Sequence, residues 1–186
     1  FTQIFCNKQL LLYGGDLYVG VMTVVNSVRE VVFMTINGLT SGAQPVLGYN
    51  YGARAYDRVR GGIRFVTAAG LIYSAAAWAV VMLFPRALIM IFNSEEHLIA
   101  AGIPALRMYL GAFVVMSLQI AGQSIYVGLG KSKHAICFSM LRKVVIAIPL
   151  TLLLPKLWGL GVNGVFLAEP ISDVIGGSAC YLTMYL

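Results

Sequence analysis

Apolar stretches of about twenty residues alternate along this chain with short segments rich in arginine, lysine and glycine. Residues 65–84 are twenty positions without a charge, and residues 108–130 are twenty-three. A helix needs about 20 mainly apolar residues to cross a bilayer, so each stretch predicts a span. Residues 17–48 are long enough to cross and continue, although Arg29 and Glu30 lie within them. Residues 144–154 carry no charge and are apolar but for Thr151, and the span that holds them is placed at 136–154. The last span is placed at 157–186, broken by Glu169 and Pro170. Residues 1–12 are a shorter apolar run interrupted by Lys8, which reads as the remainder of a span. Backbone polar groups in hydrocarbon must bond internally, so these spans are helices. A membrane barrel would need alternating segments of about ten residues, and the chain has none. The expected fold is therefore all-α, a polytopic bundle of six transmembrane helices with the first truncated.

The connections follow from composition. Tyr13-Gly14-Gly15-Asp16 predicts a turn. Residues 49–64 are polar and rich in arginine. Residues 85–107 are mixed, and within them Ser94-Glu95-Glu96 predicts a helix start, with a capping hydroxyl and acids in the first turn.

Composition narrows the class. Of the residues, 59% are hydrophobic and 11% charged, with a mean hydropathy of +0.83. An average soluble domain is about 25% charged, so this chain lacks the polar skin such a domain needs. Disordered and disulfide-scaffold classes are excluded on the same grounds. Cys6, Cys137 and Cys180 form no CxxC pair and are expected as small buried apolar side chains. The net charge of +6 is assigned to loops rather than to nucleic-acid binding. Residues 49–64 carry +3 and residues 131–143 carry +4. The alternate loops carry −1 (Asp16), 0 (Arg86 and Arg107 against Glu95 and Glu96) and +1 (Lys156). Basic loops stay in the cytoplasm, which puts both chain ends there and residues 13–16, 85–107 and 155–163 outside. The chain opens on Phe1 inside an apolar stretch, with no signal-peptide pattern, and is read as cut at that end. Six spans with a truncated first suit one half of a two-lobed transporter.

Several side chains are costly inside a membrane. Arg29 and Glu30 fall about 18 Å into their span at helical rise. An ionised group there costs about 3 kcal/mol unless paired or hydrated. The pair reads either as a structural ion pair with another helix or as cavity-lining charge. Glu169 and Asp173 are four apart and share a helix face. Two such carboxylates cannot both ionise cheaply at low dielectric, which suits a proton or cation site unless one of them pairs with an arginine such as Arg142. Gln119, Gln123 and, three further on, Tyr126 lie at helical spacing, as do Gln3 and Asn7. Amides hold helices together or line a pocket for varied substrates. Pro45, Pro149 and Pro170 each remove an N–H within a span and are candidate kinks. His97 and His134 have no partner at metal spacing and are expected in solvent. No Walker loop, dinucleotide fingerprint, nucleophile elbow or zinc motif is present, and no metal or cofactor is expected.

Three segments carry a family likeness: GLTSGAQPVLGYNYGARAYDRVRGGIRF (residues 38–65), MYLGAFVVMSLQIAGQSIYVGLGKSKHAICFSMLRKVVIAIPLTLLLP (108–155) and GLGVNGVFLAEPISDVIGG (159–177). The first resembles the eighth helix and following loop of bacterial multidrug and toxic compound extrusion (MATE) transporters, and the others resemble the tenth to twelfth helices. The likeness implies the C-terminal six-helix lobe of a twelve-helix transporter in a bacterial inner membrane, partnered by an N-terminal lobe. The family exports cationic, amphipathic drugs in exchange for H+ or Na+ by rocking around a central cavity. Here Asn7, Glu30, Gln119 and Gln123 would give that cavity its polar lining. Some members place a coupling Glu on helix seven and an Asp on helix ten. This chain offers Gln3, Asn7, Gln119 and Gln123 there, so coupling falls to Glu30 or to the other lobe. A lipid-linked oligosaccharide flippase is the nearest alternative, though it would need several inward cations and Arg29 is the main candidate. A membrane-embedded enzyme using Glu169 and Asp173 lacks a nucleophile or metal constellation, and a non-transporting scaffold is the remaining rival.

Overall fold

A computed structural model describes residues 2–156 and 160–185. The outermost ends set for the first and last spans, at positions 1, 157 and 186, lie outside the described residues. Every regular element among the described residues is helical: α1 (Thr2–Gly52), α2 (Tyr56–Leu83), α3 (Pro85–Met90), α4 (Glu96–Tyr109), α5 (Phe113–Gly128), α6 (Ser132–Met140), a π-helical stretch (Leu141–Ala147), α7 (Ile148–Leu153) and α8 (Gly161–Tyr185). The expected all-α membrane bundle is the fold found.

Gly15 divides α1 into two arms. Its φ of 71° and ψ of −168° are open to glycine because it lacks a Cβ. In a straight helix Gln3 and Arg29 would be about 39 Å apart, yet both line one cavity, so the arms fold back on each other. Among the described residues four helices are long and apolar enough to cross a membrane, the doubled α1 and the rod Ser132–Leu153 among them. The pair α4–α5 does so only together, bent by 52°. This alters the reading of residues 85–107 as a connection: they hold α3 and most of α4. The bend falls at residues 110–112, where a side chain at Gly111 would meet the Arg107 and Met108 carbonyls at 3.3 and 3.2 Å. The side-chain cap expected for α4 is not formed among the described residues, and the chain ahead of it is held differently. Asn93 Oδ1, not the Ser94 hydroxyl, accepts the Glu95 N–H at 2.7 Å.

α5 is the central strut. Lipid tails are as apolar as leucine, so helices in a bilayer associate through close packing and polar bonds rather than through the hydrophobic effect. Glycines bring α5 against its neighbours. A Cβ at Gly48 would lie 2.9 Å from the Gly128 carbonyl, and one at Gly177 2.9 Å from that of Val115. Hydroxyls tie the same contacts: Ser124 Oγ donates to the Thr40 carbonyl at 2.8 Å, Gln44 Nε2 donates to Ser124 Oγ at 3.0 Å, and Ser74 meets Ser117 at 3.1 Å. The core behind them includes Leu10, Met22, Ile36, Ile89, Leu106, Phe113 and Phe166. Ile4, Leu12, Met34, Phe65, Ile72 and Leu83 stay exposed, an outside no soluble domain of this size would carry.

The prolines behave unlike one another. At Pro45 the backbone of α1 stays helical, since Gly15 is its one non-helical position. Pro149 follows the π stretch, where the Ile148 N–H reaches back five residues to the Lys143 carbonyl. The wider turn makes room for a residue that lacks an N–H and crowds the Val145 carbonyl. Pro170 does not break its span. It is buried, and α8 runs through it, clamped between α5 and the stem of Arg142, whose Cγ would lie 2.7 Å from a Cβ at Gly176.

Candidate functional site

Of the cavities that open in the lobe, two bring several polar side chains together. The first, of about 450 Å³, is a groove between α1, α5 and α6. α1 supplies Asn37, Thr40, Ser41 and Gln44, α5 supplies Gln123 and Ser124, and α6 supplies Ser132 and Ser139. Ile120, Val127, Ala135 and Ile136 add apolar wall. No lining residue is charged. The groove exists because the Gly48–Gly128 crossing pins α1 to α5 beside it and leaves one-turn-spaced polar side chains facing the gap.

The second cavity, of about 300 Å³, lies between the two arms of α1, the α6–α7 rod and α8. Arg29, Lys143 and Glu169 bring charge to its wall, with Gln3, Cys6, Tyr109 and Ser139 beside them and Met22, Met140, Val144 and Ile148 as its apolar part. Arg29 Nη2 lies 3.3 Å from Glu169 Oε1, and Arg142 Nη1 lies 3.4 Å from the same oxygen. Arg142 also holds Asp173, deeper in the lobe. The Arg29 guanidinium sits 5.6 Å from the Phe33 ring centroid and 5.7 Å from that of Tyr109. Tyr109 in turn donates its hydroxyl proton to Asn26 Oδ1 at 3.3 Å. The π-helical stretch carries Arg142 and Lys143, and such local widening of a helix is frequent at functional sites.

The candidates drawn from sequence divide between these places. Gln123 lines the uncharged groove, and Gln3 the charged chamber. Gln119 does not join Gln123. It is buried one turn from Val115 and Gly122, which abut Gly177 and Cys180 of α8, and among the described residues both of its amide atoms lack a hydrogen-bond partner. A 100° step per residue turns i and i+4 about 40° apart, enough to put one amide in the α5–α8 seam and the other in the groove. Tyr126 is buried too, and lines neither cavity. Its ring stacks with those of His134 and Phe138, centroids 5.5 and 6.2 Å away. Asn7 is half-buried and lines neither cavity.

Glu30 differs most from expectation. It is exposed, lines neither cavity, and does not pair with Arg29, which turns instead to α8. His97 and His134 are exposed as expected; of the cysteines, Cys6 and Cys180 are buried but Cys137 is exposed. Among the described residues no group of three or more His, Cys, Asp or Glu could hold a metal ion. Sequence reasoning missed Tyr109, Lys143, Gln44 and Ser124. Nothing in their spacing marks them, since each acts through a hydrogen-bond partner 80 to 84 positions away or through a cavity closed by other helices.

The MatE family model matches residues 1–153. The chain belongs to the MatE family. Solved structures agree on the fold. An inward-facing conformation of a multidrug resistance MATE family transporter of the MOP superfamily is 20% identical, with a TM-score of 0.88 over 97% of this chain. MATE in the straight conformation is 19% identical, with a TM-score of 0.92 over 99%. A MOP superfamily transporter from Pyrococcus furiosus, whose binding pocket is described as having reverse polarity, gives the same identity and score. This MatE chain spans 41–42% of the length of these transporters. No curated protein matches it.

Proposed function

We propose that this MatE chain is the C-terminal lobe of a secondary active multidrug exporter. It passes cationic or amphipathic compounds outward in exchange for H+ or Na+ by alternating access, in the cytoplasmic membrane of a bacterium and beside an N-terminal lobe. The observation that carries this is the uncharged groove, with amides and hydroxyls interleaved with aliphatic wall. Neutral amides both donate and accept, so they suit varied ligands without the penalty of an unpaired charge in the membrane. Family membership supports transport rather than catalysis.

The test is ethidium efflux from cells. The lobe joined to its N-terminal partner should export ethidium, and residues 1–186 alone should not, because one lobe cannot enclose a cavity formed between two. Efflux by residues 1–186 alone contradicts the half-transporter reading.

A further inference from the structure

The charged chamber has more hydrogen-bond donors than it uses. Among the described residues Arg29 is engaged through Nη2 alone, to Glu169 Oε1 at 3.3 Å and to Met116 Sδ at 3.9 Å. Charge-assisted bonds normally run to about 2.7–2.9 Å, so the guanidinium is loosely held, and Nε and Nη1 are uncommitted. Lys143 shares the wall and has no ion pair among the described residues. The facing charges can be set out helix by helix. α1 gives Arg29, with Glu30 exposed and Lys8, midway along its first arm, exposed and outside the lining. The rod gives Arg142 and Lys143, and α8 gives Glu169 and Asp173. Asp173 is taken by Arg142, and Glu169 bridges the two arginines. The wall itself therefore keeps one positive charge in excess.

We propose that this chamber binds an amphipathic organic carboxylate. A planar guanidinium presents two parallel N–H groups that match a carboxylate's oxygens, and Phe33 and Tyr109 against Arg29 restrict how that plane turns. Lys143 supplies the second cation at the mouth and Ser139 a hydroxyl, while Met22, Met140, Val144 and Ile148 receive the apolar body. At about 300 Å³ the space is at the small end of ligand pockets, the size of a fused-ring acid. The site adjoins the uncharged groove, with Ser139 in the wall of both, but draws its charges from residues the groove lacks, and it goes beyond drug export, since it is read by binding without transport.

The experiment is calorimetric titration of the full-length transporter in detergent with 2-naphthoate, and with 2-naphthamide as the uncharged control. The acid should bind saturably and the amide should not. Lys143→Gln and Arg29→Lys should each weaken naphthoate binding about tenfold, as expected for one lost charge-assisted bond. Lys143 is exposed, so Lys143→Gln keeps the fold and decides the matter even if Arg29→Lys is not recovered as folded protein. Equal binding of acid and amide, no saturable heat with the acid, or unchanged affinity in Lys143→Gln overturns the proposal.

Discussion

Arg29 Nη2 and Glu169 Oε1 lie 3.3 Å apart, joining the second arm of α1 to α8 across 140 positions of sequence. The exposed neighbour Glu30 takes no part, so an acid adjacent in sequence yields to one brought in by packing. Removing one partner of a buried pair leaves an uncompensated charge. Arg29→Gln should therefore destabilise the lobe by about 3 kcal/mol, read as a lower melting temperature in detergent. Arg29→Gln with Glu169→Gln should recover much of the loss. Wild-type melting of the single variant would show that Arg142 alone satisfies Glu169.

Gln119 and Gln123 should respond in opposite ways. Gln119 is buried with both amide atoms unpartnered, so Gln119→Leu removes a desolvation penalty and should stabilise by about 1–3 kcal/mol. Gln123→Ala should leave stability unchanged and alter the relative resistance conferred against different drugs. A destabilised Gln119→Leu would reveal a partner such as bound water for that amide.

The crossing of α1 and α5 tolerates no side chain. A Cβ at Gly48 would stand 2.9 Å from the Gly128 carbonyl, and backbone cannot step aside as a side chain can. Gly48→Ala should destabilise by about 1–3 kcal/mol, the usual range for overpacking, and part Gln44 from Ser124. Gly38→Ala, where a Cβ meets nothing within 4 Å, is the control and should melt as wild type.

Orientation is testable by labelling in a cysteine-free background, which is needed because Cys137 is exposed. Single cysteines at Asp16 or Ser94 should react with an impermeant reagent from outside, and those at Ala55 or Ser132 should not. External reaction at Ala55 would reverse the charge-based topology.

The fold was legible because the bilayer writes it in long runs. The charge-free residues 65–84 lie largely within α2, and the Tyr13–Asp16 cluster contains Gly15, where α1 doubles back. The bend at 110–112 was not legible. It sits inside an uncharged run, and only the packing of α4 against the core separates it from α5. Ser124 and Gln44 were equally hidden, since a serine in an apolar helix gives no sign of the partner 80 positions away. Spacing left Gln119 and Tyr126 open between a helix seam and a pocket, and the resemblance then put Gln119 in the cavity; neither says which neighbour a helix face meets. That Glu169 or Asp173 meets an arginine such as Arg142 was one of two readings left open by the sequence, since a buried charge needs an opposite charge; that Arg142 meets both needed the coordinates.

Gradient-driven transport bears most directly on the claim that the uncharged groove carries drug in exchange for an ion. The measurement is ethidium movement in proteoliposomes holding the full-length transporter, with a pH or Na+ gradient imposed and then collapsed, for wild type and Gln123→Ala. The account predicts uphill movement that stops when the gradient is collapsed, and a changed apparent affinity for ethidium in Gln123→Ala at equal amounts of folded protein. Movement indifferent to both gradients, or identical in the two proteins, would contradict it.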